Sequence, residues 1–269
     1  MRSPLYTLLV FKRIGFCIKS VILVCGLILA LASATLAEER SGQASPLMHS
    51  TQLIVVTTAD WSAVGGVLRR YERTTPAGPW RPAGNPLPVV VGRKGMGWGI
   101  GAAPVPAHSS DDPVKREGDL KSPAGIFHLG TAFGFAAKKP AGWKMPYLAL
   151  TPSTECVDDS HSRFYNRVVE RSAVTPDWSS SEHMRAVGEY YRWGVVVEQN
   201  ASARPEGGSC VFLHIRGDGD EGTEGCSAMA KGDVEAMLAW LRPTAKPMLV
   251  QMPLRQYRQV EKALHLPLE

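Results

Sequence analysis

Short runs of apolar and β-branched residues alternate with glycine- and proline-rich segments over most of the chain after residue 51. Runs of about four to eight such residues, bounded by turn-forming residues, are typical of β-strands. The 26 glycines and 20 prolines also favour many turns over long helices. We therefore predict a mostly β fold with a few short helices, and the predicted strands cover residues 52–58, 67–73, 87–92, 126–129, 195–199, 211–214 and 248–252.

Helical periodicity is confined to three segments. The clearest begins at a cap formed by Gly232 and Asp233, ends at Pro243, and places four apolar residues on one face: Val234, Met237, Leu238 and Leu241. We predict that this helix packs on the sheet behind Cys226. A second helix around 180–191 and a C-terminal helix over 254–264 are predicted to lie on the surface.

The first residues have a different pattern. Basic residues precede an apolar run over 21–32, and small residues then lead to Ala37. This order is typical of a secretory signal peptide, and cleavage is expected after Ala34 or Ala37. The apolar run is shorter than the roughly 20 residues of a membrane span, which favours a cleaved signal, and a retained N-terminal anchor is the alternative. We predict a signal peptide over 1–37, a disordered leader over 38–50 and one folded domain over 51–269.

Removal of the signal peptide changes the charge of the protein. The net charge of the whole chain is +5, and it falls to about +1 without the four basic residues of the first segment. The rest of the chain has no run of lysines and arginines interleaved with aromatic residues. We therefore expect no nucleic-acid partner, and contact with a membrane only through the signal segment if it is not cleaved.

Three cysteines remain after cleavage: Cys156, Cys210 and Cys226. In an oxidising compartment, an odd number predicts one disulfide and one free thiol. A bridge between Cys156 and Cys210 leaves Cys226 free. A bridge from Cys226 to either of the other two removes that thiol, so the connectivity decides the chemistry.

A histidine and a cysteine stand at places where they could meet. His214 ends the predicted strand 211–214, and glycines in the following segment allow the chain to turn back to Cys226. A neighbouring imidazolium lowers the pKa of a thiol and so makes it a better nucleophile. We predict Cys226 as the nucleophile and His214 as its base. Zinc bound by Cys210, His214 and Cys226 is an alternative, but the Cys-x-x-Cys pair of most zinc sites is absent, and we expect no metal or cofactor.

Charged residues are dense just before the predicted strand 126–129. The segment 115–121 is either a surface loop or the lining of a site for a zwitterionic or carboxylate ligand, with Asp119 and Lys121 as candidate contacts. Further polar side chains follow at His161 and His183. A histidine among polar residues is usually exposed, which makes these two weaker candidates.

Two motifs resemble one known family. The sequence Leu213-His214, the glycine-rich interval, Thr223-x-Gly225-Cys226 and the following helix are similar to the catalytic signature of L,D-transpeptidases of the YkuD type. Upstream, 121–127 resembles that family's threonine-proline-x-glycine-x-phenylalanine turn, in the same order along the chain. The resemblance covers about Gln52 to Pro253. It is strongest to a branch that has a Cys-Val-Asp-Asp element and a Gly-Ser-Cys before the histidine strand.

The resemblance implies a barrel-like or sandwich β-sheet and a peptidoglycan substrate. Cys226 would attack the stem peptide at its third residue, release D-alanine, and pass the acyl group to an amine of another stem peptide or of a wall-linked protein. Water as the acceptor would make the enzyme hydrolytic. A non-catalytic wall-binding protein is a further alternative. Export across the inner membrane to the periplasm and acylation of the thiol by carbapenems are also expected.

The resemblance also suggests roles for neighbouring residues. The amides of Gly225 and Cys226 would stabilise the oxyanion, with support from Thr223, and a backbone carbonyl within 215–217 would orient His214. Many members have a basic or amide side chain two residues after the cysteine, where this chain has Ala228, and Arg216 is the candidate replacement. The predicted disulfide joins Cys156 to Cys210.

Overall fold

The computed structural model describes residues 46–217, 219 and 221–269, so the predicted signal peptide and residues 38–45 of the predicted leader lie outside the described residues. Strands dominate the described part of the chain, which confirms the mostly β prediction. The strands are β1 Gln52–Thr58, β2 Gly65–Glu72, β3 Arg81–Pro82, β4 Leu87–Val90, β5 Met96–Trp98, β6 Ser122–Gly134, β7 Tyr147–Ala149, β8 Thr154–Val157, β9 Val168–Glu170, β10 Ser181–His183, β11 Trp193–Val197, β12 Phe212–Ile215, β13 Ser227–Met229 and β14 Met248–Pro253.

Eight of these strands form a closed barrel. Around the ring the order is β1, β14, β6, β11, β12, β13, β4 and β2, and β2 pairs with β1 to close it. Of the eight pairs of adjacent strands in the barrel, two are parallel, β1 with β14 and β12 with β13. The other six pairs are antiparallel. Closure leaves none of the eight as a free sheet edge.

The remaining strands extend or flank this barrel. Strand β3 pairs with β2, while β5 and β7 pair with β6. Strands β10, β8 and β9 form a separate three-stranded antiparallel sheet. In that sheet Glu182 of β10 lies opposite Cys156 of β8.

The strands follow the apolar runs of the sequence, but their ends differ. Every residue of β1 is buried, as expected for a run that is apolar or β-branched throughout. Strand β6 begins at Ser122 and so includes Pro123 and Gly125, for which the sequence suggested a turn. Pro123 is tolerated as the second residue of the strand, where β6 pairs with the short parallel strand β5.

Two α-helices are present in the described residues, α1 Lys231–Trp240 and α2 Leu254–Val260. Helix α1 buries Val234, Met237 and Leu238 and lies against β11 and β12. Its N-cap is Ala230, without a side-chain cap, so the cap predicted at 232–233 is wrong. Helix α2 is shorter than predicted, and it is not a surface helix, because Tyr257 and Val260 are buried.

Two other local predictions are wrong. Residues 180–191 are not helical: β10 occupies Ser181–His183 and a 3-10 turn occupies Gly188–Tyr191. Gly188 interrupts the segment with a φ of 81°, which a helix does not accommodate. Residues 46–50 are not a disordered leader either. Pro46–His49 forms a 3-10 turn, and Leu47 and Ser50 are buried. Short 3-10 turns also occur at Arg171–Ala173 and Pro243–Ala245.

Buried apolar residues form two clusters. The larger one, which we call the main core, includes Leu53, Phe127 and Val250 and spans most of the barrel strands and both α-helices. The smaller one, which we call the Cys226 cluster, consists of eight buried residues: Phe133, Leu150, Cys156, Met184, Tyr191, Cys210, Phe212 and Cys226. The second cluster joins the three-stranded sheet to the barrel and holds the predicted nucleophile.

Candidate active site

The predicted pair of residues lines one cleft. His214 and Cys226 share a cavity of about 770 Å³ with Thr223, Gly225 and Arg216. Both members of the pair are nearly enclosed, since His214 is 8% exposed and Cys226 is 7% exposed. A cleft of this volume can hold a peptide segment or another ligand of similar size.

Parallel strands bring the two residues together. His214 is the third residue of β12 and lies opposite Ala228 of the parallel strand β13, and Cys226 immediately precedes β13. The chain turns into that strand at Gly225, whose φ of 149° is rarely adopted by residues with a side chain. This backbone conformation explains why a glycine precedes the cysteine.

The main chain of Cys226 is held by two hydroxyl groups. Ser122 Oγ donates a hydrogen bond to the Cys226 carbonyl at 2.6 Å, and Thr223 Oγ1 donates to the same oxygen at 2.5 Å. Ser122 Oγ also accepts the amide hydrogen of Gly92 at 2.9 Å. The serine of the upstream motif and the threonine of the cysteine motif thus donate to the same atom and fix the backbone of Cys226.

The sulfur of Cys226 has two backbone neighbours. The Phe212 amide donates to Sγ at 3.3 Å, and Sγ donates to the Cys210 carbonyl at 3.5 Å. Cys210 is bonded to Cys156, with an S–S distance of 2.09 Å and a Cα–Cα distance of 5.9 Å. Cys226 is the free cysteine of the described residues, and this is the connectivity that leaves a nucleophile available.

His214 is oriented by the backbone. Its Nδ1 lies 2.8 Å from the carbonyl oxygen of Ile215, within the segment in which an orienting carbonyl was expected. The edge of the Tyr191 ring packs against the imidazole, with 5.1 Å between the ring centroids. A donating Nδ1–H leaves Nε2 of the neutral ring as the proton acceptor.

The protonation states differ from those predicted. Burial raises the pKa of the Cys226 thiol to about 12, and the negative charge of Glu182 acts in the same direction. Burial also lowers the pKa of His214 to about 4, against hydrogen bonds to the Ile215 and Tyr190 carbonyls that raise it. Burial therefore favours a neutral thiol and a neutral imidazole over the thiolate–imidazolium pair that the sequence suggests.

Two residues of the cleft were missed by sequence reasoning. The Tyr191 hydroxyl donates a hydrogen bond to Oε2 of Glu182 at 2.6 Å, and both side chains line the cleft. Burial is the main cause that raises the pKa of Glu182 to about 7. The sequence indicates a possible site residue here only through the polar run 181–183, in which His183 and not Glu182 is the candidate.

One predicted oxyanion donor is already used. The Gly225 amide donates to Thr223 Oγ1 at 3.2 Å, so of the predicted pair the Cys226 amide is the remaining candidate. A cationic group is also close. A Cβ atom built at Gly225 would lie 3.7 Å from Nζ of Lys115, which is a buried side chain that lines the cleft.

The two weaker ligand contacts have structural roles. Asp119 forms an ion pair with Lys115 at 2.5 Å and accepts hydrogen bonds from the amides of Arg116 and Lys121, so it shapes its own loop. Neither Asp119 nor Lys121 is part of the cleft lining, whereas Lys115 and Glu117 of the same charged segment are. The residues of this segment that line the cleft are therefore Lys115, Glu117, Gly118 and Leu120, and not the two candidate contacts.

The weaker histidine candidates lie elsewhere. His161 and His183 are exposed, and they pair with Asp159 and Glu155 outside the cleft. Asp158, next to the first of these carboxylates, does line the cleft with His214. The disulfide at Cys156 holds this segment beside the cleft.

The proposed zinc ligand set is not present as three thiol or imidazole donors. The Cys210 sulfur is used in the disulfide, and a disulfide sulfur is not a thiolate ligand. Within the described ranges, no group of three or more histidine, cysteine, aspartate or glutamate side chains is arranged to hold a metal ion.

No helix among the described residues combines the length and the apolar character needed to cross a bilayer.

Comparisons of the chain with protein-family models, curated proteins and solved structures find no match. The fold and the cleft define a mostly β protein with an eight-stranded closed barrel, in which a free cysteine and a histidine line one buried cleft beside a disulfide.

Proposed function

We propose that this protein is a cysteine acyltransferase of the cell wall, an L,D-transpeptidase of the YkuD type. The observation that carries the proposal is the placement of a free thiol and a backbone-oriented histidine in one cleft, at the two positions of the family-like motif. The serine of the second motif contacts the Cys226 carbonyl, so both motifs belong to one site. The proposed substrate is a peptidoglycan stem peptide.

The first half of the reaction forms a thioester. As Sγ of Cys226 attacks the carbonyl carbon of the third stem residue, the thiol proton passes to Nε2 of His214. The carbonyl oxygen gains the negative charge, which the Cys226 amide and the nearby Lys115 ammonium can stabilise. The bond to D-alanine then breaks, and His214 returns the proton to the leaving amine.

The neutral resting pair suits this order of events. A thiol with a pKa of about 12 is not a thiolate at neutral pH, so proton removal must accompany attack. Burial lowers the pKa of His214 to about 4, so the imidazole is neutral and has a lone pair at Nε2 for that proton. Proton transfer from the thiol is uphill on its own and must be coupled to attack on the substrate carbonyl. Substrate that covers the cleft would exclude water and strengthen the interactions with the developing charge.

In the second half, an amine of another stem peptide or of a wall-linked protein attacks the thioester and frees Cys226. Water in place of the amine makes the protein an L,D-carboxypeptidase or endopeptidase. Export to the periplasm is part of the same proposal, because the substrate lies there.

The test is incubation of the protein with purified muropeptides, followed by mass spectrometry of the products. We expect D-alanine release with a new cross-link, and no release by Cys226→Ala. D-alanine release without a cross-link would assign the hydrolytic reaction. Equal release by Cys226→Ala, or loss of activity with a chelator, would contradict the thiol mechanism, and binding without any release would indicate a wall-binding protein.

A further inference from the structure

Tyr191 contacts both members of the candidate pair. Its ring packs edge-on against His214, and its hydroxyl interacts with the Cys226 thiol. The same ring makes edge contacts with Phe133 and Phe212, with centroids 5.7 and 5.4 Å away. Because the ring is enclosed by these neighbours, its hydroxyl stays at the nucleophile.

The tyrosine hydroxyl has a single hydrogen, and two acceptors can compete for it. In the structure it is donated to Oε2 of Glu182 at 2.6 Å. The backbone of Glu182 is fixed in the three-stranded sheet opposite Cys156, which is bonded to Cys210. The carboxylate and the sulfur are therefore both neighbours of the same hydroxyl, and the strand pairing and the disulfide fix the segments around them.

We propose that Glu182 controls the reactivity of Cys226 through Tyr191. When Glu182 is charged, it holds the hydroxyl hydrogen and its negative charge disfavours a thiolate. When Glu182 takes a proton from water, its own O–H donates to the tyrosine oxygen, and the tyrosine hydrogen can turn to the sulfur. Tyr191 then touches the reacting atom, and Glu182 is a positioning residue.

The charges around Glu182 favour its neutral form. Burial raises the pKa of its carboxyl to about 7, the hydrogen bond from Tyr191 lowers it, and three further carboxylates raise it: Asp158, Glu224 and Glu117. The cation that acts on the sulfur is Lys115, which lowers the pKa of Cys226. His214, the remaining titratable neighbour of the tyrosine ring, is neutral above a pKa of about 4. Near neutral pH both states of Glu182 are populated, which is what a control element requires.

The inference rests on the proposed function only in taking Cys226 as the nucleophile, and it is tested on the thiol itself. Full-length protein is alkylated with iodoacetamide between about pH 5 and pH 10, and the adduct on the tryptic peptide 217–231, which contains Cys226, is measured over time. The variants are Tyr191→Phe, Glu182→Gln and the double variant. Tyr147→Phe and Glu189→Gln are matched controls, because each removes the same group from a side chain that does not line the cleft.

We expect Tyr191→Phe to slow alkylation at about pH 6 by about tenfold, because Glu182 is then mostly neutral and the sulfur loses the tyrosine donor. At about pH 8, where Glu182 is mostly charged, Glu182→Gln is expected to accelerate alkylation about tenfold in the wild-type background and about threefold or less in the Tyr191→Phe background, because the carboxylate acts through the tyrosine. The controls should stay within about twofold of wild type. Equal acceleration in both backgrounds, or a Tyr191→Phe rate equal to that of Tyr147→Phe, would overturn the inference.

The wild-type profile supplies a second test that needs no variant. Its alkylation rate should show an inflection near pH 7, where Glu182 titrates, below the main titration of the thiol. A single inflection contradicts the proposal even if a variant fails to fold. Alkylation requires no peptidoglycan, so a protein that behaves as expected here but releases no D-alanine retains this inference and loses the proposed function.

Discussion

The main core and the Cys226 cluster are both buried, but they are built from different residues. The main core is almost entirely aliphatic and aromatic, and its strands can be read from their apolar runs. The Cys226 cluster is small, contains all three cysteines of the described chain, and borders Glu182 and His214. Burial stabilises the fold in the first region, whereas in the second it shifts the pKa values of Glu182, His214 and Cys226. Substitutions should separate these two consequences of burial.

The largest effect is expected on reactivity at the Cys226 cluster. His214→Gln should slow acylation of Cys226 by a carbapenem by about a thousandfold, because no base remains to accept the thiol proton. The free energy of unfolding should change by only about 1 kcal/mol, since a glutamine amide can also donate to the Ile215 carbonyl. Acylation is followed by intact-protein mass spectrometry. His183→Gln, at an exposed position, is the control, and a wild-type rate in His214→Gln would remove the histidine from the mechanism.

The next effect is expected on stability in the main core. Phe127 is fully buried, and Phe127→Ala should lower the free energy of unfolding by about 3–5 kcal/mol, because a large cavity replaces the ring. Urea unfolding measures this change, and Phe164→Ala at a half-buried site should cost much less. Alkylation of Cys226 in the native protein should keep the wild-type rate. A changed rate would mean that the two regions are coupled more tightly than their separation into clusters indicates.

A smaller effect depends on pH. The folded-state pKa of Glu182 is about 7, above its ordinary value of 4.5, so folding favours the protonated acid. The resulting stability is fully present below about pH 4.5 and is lost as the pH rises through 7. Glu182→Gln should therefore gain on the order of 1–3 kcal/mol relative to wild type between pH 5 and pH 8. Urea unfolding at both pH values measures this, with Glu189→Gln as the control. A pH-independent difference would contradict the burial of the carboxyl.

The smallest effect concerns the link between the two regions. Ser122→Ala removes the hydroxyl that joins the Gly92 amide to the Cys226 carbonyl, and it should cost about 1 kcal/mol of stability. Carbapenem acylation should fall only severalfold, because Thr223 still holds the same carbonyl. Thermal unfolding and acylation rates measure both quantities, with Ser172→Ala at an exposed site as the control. A loss as large as that of His214→Gln would show that this carbonyl contact is essential.

The sequence predicts the main core better than the site. Strand β1 coincides with its apolar run, and α1 was placed within a few residues, because burial leaves a periodic signature. His214 and Cys226 could be proposed because few residue pairs support this chemistry. Glu182 could not, since its role depends on the pairing of β10 with β8, a contact between segments far apart in the chain.

The protonation of the site could not be predicted either. Residue types alone suggest a thiolate–imidazolium pair, whereas the pKa shifts follow from the burial of both side chains in the folded protein. The hydrogen bond made by the Gly225 amide is also not predictable from the sequence. Its position in the motif is visible, but the use of its amide by Thr223 appears only once the turn has its three-dimensional form.

The most direct test of the account is the site of acylation. Full-length protein is incubated with a carbapenem, digested and analysed by mass spectrometry, in parallel with Cys226→Ala. We predict a single covalent adduct on the peptide 217–231 of the wild-type protein, at Cys226, and none on the variant. An unmodified Cys226 after prolonged incubation, or an adduct that persists in Cys226→Ala, would contradict the assignment of this thiol as the nucleophile of an L,D-transpeptidase.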